Sequence, residues 1–122
     1  MWAAAGTAMG SLELLLPRSD WGPGEMLHGR LVLTLDEPID GLRLVVGVHA
    51  TEERCVVDPR GREAHETRTR YRMERRLAGY RRYVSDVYDF RLPLPDGRRG
   101  LEWRVYARLD DKLEARCPIR VE

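Results

Sequence analysis

The chain has 122 residues, the size of one domain with no room for a second core. Charged residues make up 34% of it, above the usual ~25%, yet 21 basic residues stand against 20 acidic ones for a net charge of +1. That balance excludes a generally basic nucleic-acid binder and an acidic tail protein, while leaving room for a local patch. All basic residues but Lys112 are arginine, a bias spread along the whole chain that needs no site to explain it.

Residues 1–10 are small and apolar, without the positive start and apolar core of a secretory signal. They are expected to be frayed, with Trp2 in a poorly ordered tail. Residues 11–122 are expected to form a single domain. No run approaches the ~20 apolar residues of a membrane span, so a soluble cytoplasmic protein without a membrane span is expected.

From Leu12 onward the dominant period is two. Leu12, Leu14 and Leu16 give a short strand. Leu27, Gly29, Leu31, Leu33 and Leu35 alternate with His28, Arg30 and Thr34, and Leu42, Leu44, Val46, Val48 and Ala50 repeat the pattern. Tyr88, Phe90 and Leu92 follow, then Leu101, Trp103, Val105, Ala107 and Leu109, then Leu113, Ala115, Cys117, Ile119 and Val121. Alternation of this kind turns one strand face to a core and the other to water. Turn signals separate the runs: residues 17–24, 36–41, 58–61 and 93–97. Asp58-Pro59-Arg60-Gly61 suits a type I turn. No stretch has helical periodicity. The reading is all-β: an antiparallel, immunoglobulin-like sandwich of about seven to eight strands.

The turn at Asp58 makes a hairpin. Setting Val57 opposite Arg62 puts His49 against Arg70 and Gly47 against Arg72. Tyr71, Met73 and Leu77 then point inward with Val46 and Val48, and Arg68, Arg70 and Arg72 point outward, facing Thr51, His49 and Gly47. None of those three neutralises an arginine.

Four segments carry a family resemblance. Pro23-Gly24-Glu25 leads into the alternating strand Met26–Leu33, and Leu44 to Glu53 ends in a small residue and an acid. Tyr88–Pro95 is an aromatic strand closing on a Leu-Pro pair, and Leu101–Asp110 is a Trp/Tyr/Val/Ala strand closing on Leu-Asp. In order and spacing, from about Gly10 to Val121, this set resembles the arrestin-like domains, whose family includes bacterial sporulation-control proteins. The resemblance implies an arrestin-like β-sandwich, here one domain where such proteins usually pair two. It implies an adaptor or scaffold that binds protein and not an enzyme, in a bacterial cytoplasm. A protein partner of unknown identity is expected. A homodimer, or pairing with a second arrestin-like domain, is expected to take the place of the missing half.

Residues 67–83 are the strongest candidate site. They hold Arg68, Arg70, Arg72, Arg75, Arg76, Arg81 and Arg82 against one acid, Glu74. A row of unpaired guanidiniums beside tyrosines suits a carboxylate-rich or phosphate-bearing partner. The alternative function is therefore a polyanion-binding module that takes an acidic protein, phosphate, nucleic acid or a lipid headgroup on the strand from Arg68 to Arg82. Near-zero net charge disfavours nucleic acid. The bland reading is a solvated strand whose arginines deter edge aggregation. Trp21, in a loop, reads equally as an interface anchor or as a cap on the open end of the sandwich.

Catalytic and cofactor chemistry leaves no trace. There is no Gly-x-Ser-x-Gly, phosphate-binding glycine loop or nucleotide fingerprint. Adjacent carboxylates such as Asp110 and Asp111 point to opposite faces of a strand. No cofactor, metal or catalytic residue is expected. His28 and His49 share outward parity on strands expected to be neighbours, yet read as exposed strand histidines. Cys117 has core parity and Cys55 outward parity near the hairpin tip, so two reduced thiols are expected.

Overall fold

The computed structural model describes residues 2–7, 9–96 and 100–122. Eleven strands run along them: β1 (Trp2–Thr7), β2 (Gly10–Leu15), β3 (Asp20–Trp21), β4 (Met26–Leu35), β5 (Ile39–Gly41), β6 (Leu44–Val57), β7 (Glu63–Ala78), β8 (Arg81–Tyr83), β9 (Asp86–Pro93), β10 (Glu102–Leu109) and β11 (Leu113–Val121). One sheet has the order β1-β2-β4-β9 and the other β3-β11-β10-β6-β7, with β5-β8 as a two-stranded piece. No described residue is helical. The all-β sandwich is the fold expected from the alternation.

The alternating leucines meet between the sheets. Leu12, Leu14, Leu27, Leu31 and Leu92 from one sheet are fully buried, as are Leu44, Val46, Val48, Val105 and Leu109 from the other. Each contributes roughly 1.5–3 kcal/mol relative to exposure, and the period-two pattern fixes which face does so. Trp103 belongs to this core and lies 5.9 Å from the Tyr71 ring. Tyr71, Met73 and Leu77 pack against the core as expected.

Several expectations are corrected. The seven strands read from the sequence, β2, β4, β6, β7, β9, β10 and β11, are all present, and β1, β3, β5 and β8, which carry no readable alternation, bring the described residues to eleven. The sandwich is not wholly antiparallel, since β3 pairs in parallel with β11. The segment expected to be frayed forms β1, in register with β2 from Trp2↔Leu15 to Thr7↔Gly10. Small residues can extend there, and the pairing covers an edge of β2 that would otherwise be open. Leu42 is exposed and precedes β6, although its parity placed it in the core.

The hairpin register is also shifted. The turn forms as expected: Gly61 N donates to Asp58 O at 2.9 Å, and the Asp58 carboxylate accepts from Arg60 N and Arg62 N. The ladder, however, begins with Val57↔Glu63 and slips by a further residue between Ala50 and Thr51. His49 therefore faces Arg72, and Gly47 faces Glu74. Arg70 is the extra residue at this bulge, which the sequence carries no glycine or proline to announce.

Candidate interaction face

The outer face of the five-stranded sheet is built by the residues that alternate with the core. Register places them in transverse rows. Arg72 on β7, His49 on β6 and Arg104 on β10 stand directly opposite one another. The next row is Glu74, Gly47, Tyr106 and Arg116, and the third is Arg76, Val45, Arg108 and Glu114. Arg72 and Arg104 flank His49 on either side, so a charge on the imidazole would stand directly opposite two like charges, an arrangement that is destabilising.

Tyr106 is the centre of the face. Its side chain is buried above Gly47, and its hydroxyl donates to Glu74 Oε2 at 2.6 Å. Arg72 Nε donates to the same hydroxyl at 3.3 Å, and the Arg72 and Arg108 guanidiniums lie 5.6 and 6.0 Å from the ring centroid. Glu74 also takes Arg72 at 3.4 Å and Arg108 at 3.6 Å. The Tyr106 hydroxyl holds the Glu74 carboxyl below its ordinary value, helped by Arg108 and Arg72 and opposed by burial. One carboxylate thus serves two guanidiniums and a phenol.

His49 reports the surplus of positive charge. Its Nε2 lies 3.1 Å from Thr69 Oγ1. Burial lowers its pKa below 6.5, and Arg104, Arg72 and Arg116 lower it further. Beside this row a groove of about 950 Å³ opens, whose lining includes Leu101, Arg104, Arg116, Pro118 and Arg120. Among the described residues, Arg116 and Arg104 form ion pairs with exposed glutamates two residues away on their own strands, at 2.8 and 3.8 Å.

The candidate residues named from the sequence do not form one site. Arg68, Arg70 and Arg72 are not unpaired: they reach Glu66 at 3.9 Å, Glu52 at 2.5 Å and Glu74 at 3.4 Å. Glu66 and Glu74 stand two residues away on β7 itself, and Glu52 comes from β6, where it faces Arg68. Arg72 and Arg76 belong to the face just described. Arg75 turns the other way and donates to Arg91 O at 2.8 Å, across to β9. Arg81 and Arg82 sit on β8, opposite Gly41 and Asp40. Trp21 is buried at 3% exposure, with the Arg18 guanidinium 4.2 Å from its ring centroid and His28 edge-on at 5.5 Å. It packs into the core cluster, paired through β3 with Val121 of β11.

Arg104, Arg108, Arg116 and His49 were missed from the sequence as members of the site. Their outward parity was readable, but the order of the strands that gathers them was not. His28 lies on β4 and His49 on β6, in different sheets, so they are not neighbours. Cys55 is exposed, Cys117 is buried, and both are free. Among the described residues no three His, Cys, Asp or Glu side chains group at metal-binding distance, and no helix is long and apolar enough to cross a membrane.

Among solved structures, the sporulation control protein Spo0M from Bacillus subtilis superposes with a TM-score of 0.74 at 17% identity, covering 95% of this chain and 50% of that one. The fold is the arrestin-like one. The chain spans about half the length of Spo0M. No family model and no curated protein matches the sequence. The likeness therefore lives in the backbone and in the alternation that builds it, with most side chains changed.

Proposed function

We propose that the domain is a non-enzymatic protein-interaction module, an adaptor or scaffold of the bacterial cytoplasm, that docks an acidic segment of a partner protein. The docking surface is the outer face of the five-stranded sheet. The observation that carries this reading is the row Arg72–His49–Arg104, three basic side chains set opposite one another across three strands. Two guanidiniums with a titratable imidazole between them offer complementary charge to carboxylates laid across the row. The groove beside Arg104 and Arg116 gives such a segment a concave bed.

A flat basic face also suits other polyanions. The net charge of +1 favours a protein, because a nucleic-acid surface draws on a wider positive field than one row supplies. Titration calorimetry with poly-L-glutamate tests the choice. Affinity is expected to fall steeply with added salt and to drop by at least about tenfold in Arg104→Glu. Equal affinity for Arg104→Glu would remove the site. Tighter binding of single-stranded nucleic acid or anionic vesicles than of polyglutamate would replace the acidic protein with that ligand.

A further inference from the structure

The β6–β7 hairpin extends beyond the sandwich. Pairing of β10 with β6 ends at Glu102↔Thr51, whereas β6 continues to Val57 and β7 begins at Glu63. Six residue pairs, Glu52↔Arg68 to Val57↔Glu63, therefore stand with no third strand among the described residues. At about 3.3 Å per residue this overhang is roughly 20 Å long. A lone two-stranded ribbon is marginal in water, and a third strand is what normally steadies it.

The free edge has a defined phase. Asp58 N donates to Arg62 O, so residues 58 and 62 form a hydrogen-bonded pair. Alternation along the ladder then turns the backbone groups of residues 64, 66 and 68 toward β6. Those of residues 63, 65, 67 and 69 point away, toward the open side.

We infer that this edge pairs with the same edge of a second copy of the chain, antiparallel, with Thr67 on the two-fold axis. A two-fold perpendicular to the sheet keeps each side chain on its own face and sets residue i against a residue of equal parity. Centring on Glu66 opposes two glutamates. Centring on residues 68 to 71 opposes arginines each time: Arg68 with Arg68, Arg70 or Arg72, and Arg70 with Arg72. Centring on His65 leaves five residues of β7 in overlap.

Thr67 alone gives nine residues of overlap, 63 to 71, without a like-charge pair. It sets Glu66 against Arg68 twice and His65 against Thr69 twice, and Thr67 against itself. The outward backbone groups of 65, 67 and 69 meet in hydrogen-bonded pairs. Two overhangs become one four-stranded ribbon, with the two sandwiches at opposite ends. Cross-strand pairs of opposite charge and threonine–threonine pairs both stabilise such ladders.

Sedimentation equilibrium of the full chain tests the inference. The expected mass is twice 14.1 kDa. Thr67→Pro removes only an N–H that points away from β6 and is expected to abolish the dimer with an unchanged melting temperature. In a Cys55→Ser background, Thr67→Cys is expected to cross-link on oxidation, since self-paired residues bring their Cα atoms to about 5.5 Å. Arg68→Cys, displaced along the ribbon, is expected not to. A monomer at every concentration, a dimer that survives Thr67→Pro, or a Thr67→Cys variant that does not cross-link would overturn the inference. Should the proline variant melt early, the cross-link decides alone.

Discussion

The ring of Tyr106 occupies the space a side chain at position 47 would need. A Cβ built on Gly47 would stand 2.5 Å from both Cζ and Oη of Tyr106, and 2.6 Å from the Met73 carbonyl oxygen. Glycine is required there for close approach. Gly47→Ala is expected to destabilise the domain by about 1–3 kcal/mol, as overpacking does. Thermal unfolding checks it, and an unchanged melting temperature would show that Tyr106 does not rest on this strand.

The same tyrosine sets an acid limit. Its hydroxyl is the first cause of the lowered Glu74 pKa. A carboxyl with a depressed folded-state pKa contributes stability above its unfolded value, near 4.5, and loses it as pH falls through the folded value. Tyr106→Phe removes that cause and is expected to raise the Glu74 midpoint, read by NMR titration of its side-chain carboxyl.

His49 carries the coupling to a ligand. Its folded pKa lies below 6.5, through burial first and then Arg104, Arg72 and Arg116. The folded chain therefore prefers neutral imidazole, and stability falls as pH drops from 6.5 through the folded value. A polyanion on the row favours the protonated ring. Polyglutamate affinity is expected to rise as pH falls through this window, with proton uptake measurable by calorimetry in buffers of different ionisation enthalpy. His49→Asn is expected to abolish the uptake.

Trp103 anchors the core from β10 at 4% exposure, against Tyr71. Trp103→Ala is expected to cost about 3–5 kcal/mol, read from denaturant unfolding. A value below about 1 kcal/mol, the range of surface changes, would contradict its core placement.

Asp110 holds a corner. With φ at +48°, it ends the β10 strand and accepts Leu42 N and Arg43 N, each at 2.9 Å. Asp110→Ala leaves two backbone donors without this partner and is expected to cost about 1–3 kcal/mol. Asp110→Asn, which tolerates the left-handed conformation, is expected to cost less. Equal losses, read from thermal unfolding, would show that asparagine's tolerance of that conformation gives no advantage and that the carboxylate itself is what matters.

The sandwich was legible because its core strands alternate strictly, so parity alone placed Leu31, Val46 and Trp103 inside. β1, β3, β5 and β8 were not legible: they are short or made of small residues, and only tertiary pairing extends them. The arginine segment was visible as composition. Its meaning changed because the ladder starts one residue later, at Val57↔Glu63, and slips once more at the bulged Arg70, so that His49 and not Gly47 meets Arg72. Arg104 and Arg116 joined the site only through the order β11-β10-β6-β7, which no local pattern encodes.

The most direct test of the acidic-partner reading is an amide chemical-shift map of the chain titrated with poly-L-glutamate. The account predicts shifts concentrated at His49, Arg72, Arg104 and Arg116 and lost in Arg104→Glu. Shifts confined to β4 and β9, or none at all, would contradict it.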